Sequence, residues 1–167
     1  MKTSRCLIVL SCFLIFSAAP STLFAADATP FPAGLKILPP DNTMVPEKLT
    51  EFSGIWEGKW EFLYGGAIDV ALAVVRLTKE QADVIYSWGK LETDIKRGGI
   101  TSDPGWSRFP GCPVEKAADG NYVITVNLPK GASLKLKQTD KKDLIHVTRS
   151  GGAGQTAAQT MPFTKKK

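Results

Sequence analysis

From residue 55 onward the apolar side chains of this chain recur at every second position. Successive side chains on a strand point to opposite faces, so a period of two builds one apolar and one polar face, where a helix would need 3.6. Residues 55–62 carry Trp56, Trp60 and Phe62 against Glu57, Lys59 and Glu61. Residues 67–77 place Ile68, Val70, Leu72 and Val74 on one face, and the Ala71, Ala73 and Val75 of the other imply that it too is partly covered. Residues 82–88 set Ala82, Val84, Tyr86 and Trp88 together. The same rhythm predicts strands over 105–109, 114–116, 121–128, 133–138, 144–149 and 160–164. Gly65-Gly66, Asp119-Gly120 and Pro129-Lys130-Gly131 punctuate them, and Asp-Gly between alternating runs is a strong hairpin signal.

About eight short antiparallel strands, each with one apolar face, must close on themselves or pair as two sheets, because an open sheet would leave that face wet. The expected fold is all-β. Short turns between sequential neighbours favour an up-and-down barrel, which also removes exposed strand edges; a β-sandwich is the alternative.

The strands do not begin at the N-terminus. Lys2 and Arg5 precede an apolar run of about ten residues over 7–16, and Leu23-Phe24-Ala25 offers a cleavage site. That is a secretory signal, since a membrane-spanning helix needs roughly 20 apolar residues. Val9-Leu10-Ser11-Cys12 loosely resembles a lipobox, but the apolar run continues past Cys12 where a lipobox would close it. The expected organisation is a signal peptide over 1–25, a Pro-rich extended leader over 26–50, a barrel domain over 51–164 and a basic tail over 165–167. The style of the signal suggests a Gram-negative bacterium and a periplasmic or secreted product. Pro46 at the head of Glu47-Lys48-Leu49 predicts a single helical turn inside the leader. Cys6 and Cys12 would leave with the signal, so Cys112 stays unpaired, and burial is the simpler of its fates.

Charge is unevenly placed. Residues 26–120 carry a net −4 and residues 121–167 a net +7, within +5 overall. The late excess makes a basic face of Lys130, Lys135, Lys137, Lys141 and Lys142, whose partner in an exported protein would be an anionic envelope component. Nucleic acid is not expected as a partner, and no transmembrane segment is expected after signal cleavage.

A short N-terminal turn, Gly54-x-Trp56 on the first strand and a following meander of hairpins resemble the calycins, the group of lipocalins and avidin-like barrels. The resemblance implies that Trp56 plugs one barrel end and that a basic residue of a late strand, best matched by Arg149, packs across it. Arginine over an indole is worth about 0.5–2 kcal/mol. The run over 55–60, with Val84 to Gly89 and Gly105-Trp106, also resembles an exported bacterial domain of uncharacterised function.

The motifs of catalysis are sparse. The one histidine, His146, falls on the outward register of its strand, and no Gly-x-Ser-x-Gly elbow supplies a nucleophile for it. One histidine and one mature cysteine do not make a zinc site, and no glycine-rich phosphate loop opens a helix. Glu57 and Glu61 share a face but stand roughly 13 Å apart along a strand, beyond the about 6.5–9.5 Å of an inverting glycosidase pair. Glu92, Asp94 and Asp103, in or beside the long loop over 89–104, leave a loop-borne acid pair open. The expectation is therefore a protein that is not an enzyme and needs no metal or cofactor.

Trp88 and Trp106 flank that loop and so should mark one rim of the barrel. Tyr86, Trp88, Trp106 and Arg108 together would suit a small apolar or carbohydrate-like ligand bearing an anionic group, with the loop as a lid. The second reading is a protein- or polymer-binding module, an inhibitor or an anchor, acting through the lysine face.

Overall fold

The computed structural model describes residues 29–62, 66–92, 101–151 and 158–167. The expected signal peptide, and Asp94 within the long loop, lie outside the described residues. Strands β1 (Gly54–Glu61), β2 (Ala67–Leu77), β3 (Gln81–Trp88), β6 (Gly105–Lys116), β7 (Tyr122–Asn127), β8 (Ser133–Gln138), β9 (Leu144–Ser150) and β10 (Gln159–Lys165) close in the order β1-β10-β9-β8-β7-β6-β3-β2. Each pairs antiparallel with its neighbours, and β1 meets β10 to complete the ring. The fold is thus the expected all-β, antiparallel up-and-down barrel. A small hairpin, β4 (Leu91–Glu92) with β5 (Thr101–Ser102), stands outside the ring in the long connection from β3 to β6.

Closure gives every barrel strand an inside and an outside. Trp56, Trp60, Val70, Leu72, Val74, Val84, Ile124, Val126, Leu134, Leu136, Ile145, Val147 and Phe163 are all buried in one core. All but Phe163 are the alternate positions that the periodicity assigned inward. Two segments read as separate, 105–109 and 114–116, are one long strand, β6. Pro110-Gly111-Cys112-Pro113 lies within it, with Gly111 at φ +65° and a register shift opposite Ala82 and Val84. A bulge absorbs what prolines would otherwise break, since an extra residue bends the strand without ending it. Asp83 sits at this bulge. Its carboxylate accepts from the Gly111 backbone N–H at 3.0 Å and pairs with Arg108 at 3.4 Å and Arg76 at 3.7 Å.

The Pro-rich leader is packed. Phe31 and Leu35 lie on the outer face of β2 and β3, over Ala73, Val75 and Ile85. The Leu38 N–H donates to the Val75 carbonyl at 2.8 Å, and the Ser87 hydroxyl donates to the Pro30 carbonyl at 2.5 Å. This explains why β2 is apolar on both faces: one side faces the core, the other the strap. The leader then forms the expected helical turn, α1 (Glu47–Thr50), with Pro46 at its N-cap.

Candidate functional site

Antiparallel order puts the starts of β1, β3, β7 and β9 at one end of the barrel and their finishes at the other. The end where β1 starts is sealed. Leu49 and Phe52, from α1 and the residue pair after it, are fully buried against the core. The Trp56 Nε1 donates to the Phe52 carbonyl at 2.8 Å, and the Gln138 Nε2 donates to the Lys48 carbonyl. Lys165 lies across the indole with Nζ 5.1 Å from the Trp56 ring centroid, and the same ammonium donates to the Glu51 carbonyl at 2.8 Å. Burial lowers the Lys165 pKa, with Asp143 and Glu51 opposing that shift.

The Gly-x-Trp motif has a physical cause here. Gly54 has φ +126°, and a Cβ on it would stand 2.9 Å from the Lys165 Cε. Glycine is needed both for the backbone angle and to let the lysine stem pass. The cation across the plug is therefore Lys165, and the expectation for Arg149 is corrected. Register decides this: Trp56 pairs with Lys165 near the sealed end, whereas Arg149 pairs with Leu134 and Gln159 near the far end of β9. Lys165, read from sequence as tail, is the last residue of β10. Met161 and Phe163 already mark its inward register, and extending that alternation by one step would have found it.

At the opposite end, one aromatic chain runs from the core toward the rim. The Trp60 indole is buried, packs 5.7 Å from the Phe163 ring, and donates from Nε1 to the Tyr86 hydroxyl at 3.1 Å. Tyr86 packs 5.8 Å from Trp88, whose Nε1 donates to the Asp103 carbonyl at 3.0 Å. Trp88 lies flat over Gly105, where a Cβ would come within 2.7 Å of the ring. Leu91, from the β4–β5 hairpin, is buried into the same core. Burial pushes the Tyr86 phenol up, and the Trp60 hydrogen bond and the Arg149 charge only partly offset it.

Arg149 belongs to this group. Its register partner Leu134 is a core residue, and cross-strand partners share a face, so Arg149 points inward. Its Nε is buried and has no hydrogen-bond partner among the described residues.

Of the expected rim, Tyr86 and Trp88 are inward, while Trp106 and Arg108 are not with them. Trp106 pairs with Ser87 and Arg108 with Ile85, which puts both on the outer face; Trp106 is 45% exposed, and Arg108 pairs with Asp83. Trp88 faces Gly105 across the ladder, so the tryptophan one residue later points the other way. Lys135 and Lys137 stand exposed on β8, Lys130 lies in the turn before it, and Lys141 and Lys142 lie in the turn after it. Lys137 pairs with Asp119 at 2.7 Å and Lys142 with Glu51 at 3.7 Å. His146 is exposed opposite Lys137. The Glu92 side chain and Asp94 lie outside the described residues, and Asp103 is exposed. Cys112 is buried, and its thiol donates to the Phe109 carbonyl at 3.3 Å. Among the described residues, no three metal-ligating side chains converge.

No protein-family model matches the chain, and no curated protein does. Among solved structures, it is similar to a de novo designed fluorescence-activating β-barrel, at 15% identity and TM-score 0.47, over 72% of this chain and 98% of that one. What is shown of the expected resemblance is the eight-stranded antiparallel barrel itself.

Proposed function

We propose that this chain is an exported, non-enzymatic, lipocalin-like barrel of the periplasm or the secreted fraction, and that it binds a small apolar or carbohydrate-like molecule at the end opposite Trp56. The observation that carries the reading is the difference between the two ends. One is sealed by α1, Phe52 and Lys165. The other collects partly buried aromatics, Phe62, Tyr86 and Trp88, with Met161 and Leu128. Partly exposed aromatic and apolar side chains gathered round a few polar groups are the usual chemistry of a small-molecule site.

The test is intrinsic tryptophan fluorescence of the purified protein, titrated with lipids, aromatic compounds and cell-wall sugars. A saturable change that is lost in Trp88→Phe and kept in Trp106→Phe supports the reading, because Trp88 faces inward and Trp106 outward. A flat response to every class sinks it.

A further inference from the structure

We propose that Arg149 is an anchor for the carboxylate of a monocarboxylic acid whose apolar body lies along Tyr86 and Trp88. This rests on the reading of that barrel end as a binding site and names the class of ligand it takes.

The inference starts from an arginine in an unusual position. An inward guanidinium at a barrel end is costly unless something compensates it, and natural interiors pair such groups. Among the described residues, none of the ion pairs involves Arg149. Its Nε–H is buried and has no acceptor among the described residues. Its strand neighbours give it none: Leu134 is apolar, and no hydrogen bond joins the Arg149 Nε–H to Gln159, whose NH2 donates to the Glu61 carbonyl at 2.9 Å. The contrast with the sealed end is direct, where the Lys165 ammonium has both a carbonyl and a ring face.

The nearby polar group points the same way. The Tyr86 hydroxyl accepts from Trp60, and no hydrogen bond that it donates is found among the described residues. An unpaired N–H and an unpaired O–H at one end of one barrel call for an acceptor with more than one lone pair. Arginine presents Nε and one Nη side by side, which matches the two oxygens of a carboxylate.

Charge selects among anions. Arg149 supplies one positive charge, and a carboxylate supplies one negative charge, so the pair closes neutral. A phosphate monoester near neutral pH would bury about half to one further negative charge, which Arg149 alone does not balance. The surrounding side chains select the body of the molecule. Tyr86 and Trp88 offer partly exposed ring surface, with Met161 and Leu128 beside them.

The experiment is calorimetric titration of the purified protein with octanoate, octanol and octyl phosphate, together with the nitrogen-15 NMR signal of the Arg149 Nε–H. Octanoate should bind roughly 10–100-fold more tightly than octanol, and should shift the Nε–H signal at saturation. In Arg149→Met the octanoate affinity should fall to that of octanol, while octanol binding should not change. Arg108→Met, on the outer face, should leave both unchanged. The NMR readout uses the unaltered protein, so the test does not depend on the variant folding. Equal affinity for octanoate and octanol, with the Nε–H signal unmoved, overturns the anchor and leaves the binding reading standing. Octyl phosphate binding as tightly as octanoate overturns the monocarboxylate assignment. Silence from all three probes overturns the inference, while the wider fluorescence panel decides the binding reading separately.

Discussion

Each end of the barrel joins a buried tryptophan to an inward cation, and the two are finished differently. At the sealed end Trp56 donates to Phe52, and Lys165 donates to Glu51 while lying across the indole. At the other end Trp60 is satisfied by Tyr86, yet the Arg149 Nε has no partner among the described residues. A fully paired buried group stabilises a fold, whereas an unpaired one costs free energy. The contrast lies between the two cations: Lys165 is paired within the barrel, whereas the Arg149 Nε–H is left to the ligand proposed above. Proteins commonly keep such costs at binding sites.

The largest effect expected from this contrast is in the plug. Trp56→Ala should cost about 3–5 kcal/mol, read as a fall in the urea midpoint, because the ring is fully buried and nothing nearby can refill it. Trp88→Ala, at the partly exposed end, should cost clearly less. Equal losses would mean that both ends are structural in the same way.

Two glycines sharpen the comparison. A Cβ at Gly58 would stand 2.5 Å from the Phe163 ring, and one at Gly105 would stand 2.7 Å from the Trp88 ring. Phe163 is fully buried and cannot yield, so Gly58→Ala should cost about 1–3 kcal/mol through overpacking. Trp88 lies nearer the rim and can tilt. Gly105→Ala should therefore cost less and instead shift the tryptophan emission. A large loss of stability in Gly105→Ala would show that end to be as rigid as the core.

The same substitution at the two cations should have opposite signs. Lys165→Met removes a hydrogen bond and a cation–π contact and should cost about 1 kcal/mol. Arg149→Met removes the unpaired Nε–H and keeps an apolar stem, so it should leave stability unchanged or raise it by about 1 kcal/mol. Thermal melts of the two variants side by side decide this. A clear loss in Arg149→Met would mean that the guanidinium supports the fold.

The smallest effect concerns pH. Burial and the nearby Asp83 charge push the Cys112 thiol up to about 11 from an ordinary 9.0. The unfolded chain therefore gives up this proton first, and the associated stability is present below pH 9.0 and lost as pH rises toward about 11. Cys112→Val should flatten that alkaline decline, read as urea midpoints at pH 8 and pH 10.5 relative to the unaltered protein. Native thiol labelling at pH 8 should likewise be slow and become fast in denaturant.

The amino-acid sequence by itself determined an all-β fold of short antiparallel strands and favoured a barrel over a β-sandwich. Alternation of period two, short turns and an apolar face on each strand leave closure as the economical way to bury Trp60, Leu72, Val126 and Leu136. It also placed the plug at Trp56 and the helical turn before it, because these depend on residues close in the chain. The tertiary structure alone decided which side chains meet across strands. Trp88 faces Gly105 and not Trp106, Lys165 and not Arg149 crosses the Trp56 ring, and Phe31 and Leu35 cover the second apolar face of β2. Each outcome turns on register, and a shift of one residue sends a side chain to the opposite face. The periodicity of one strand states which residues share its face; only the pairing of strands states which of them stand at the same height.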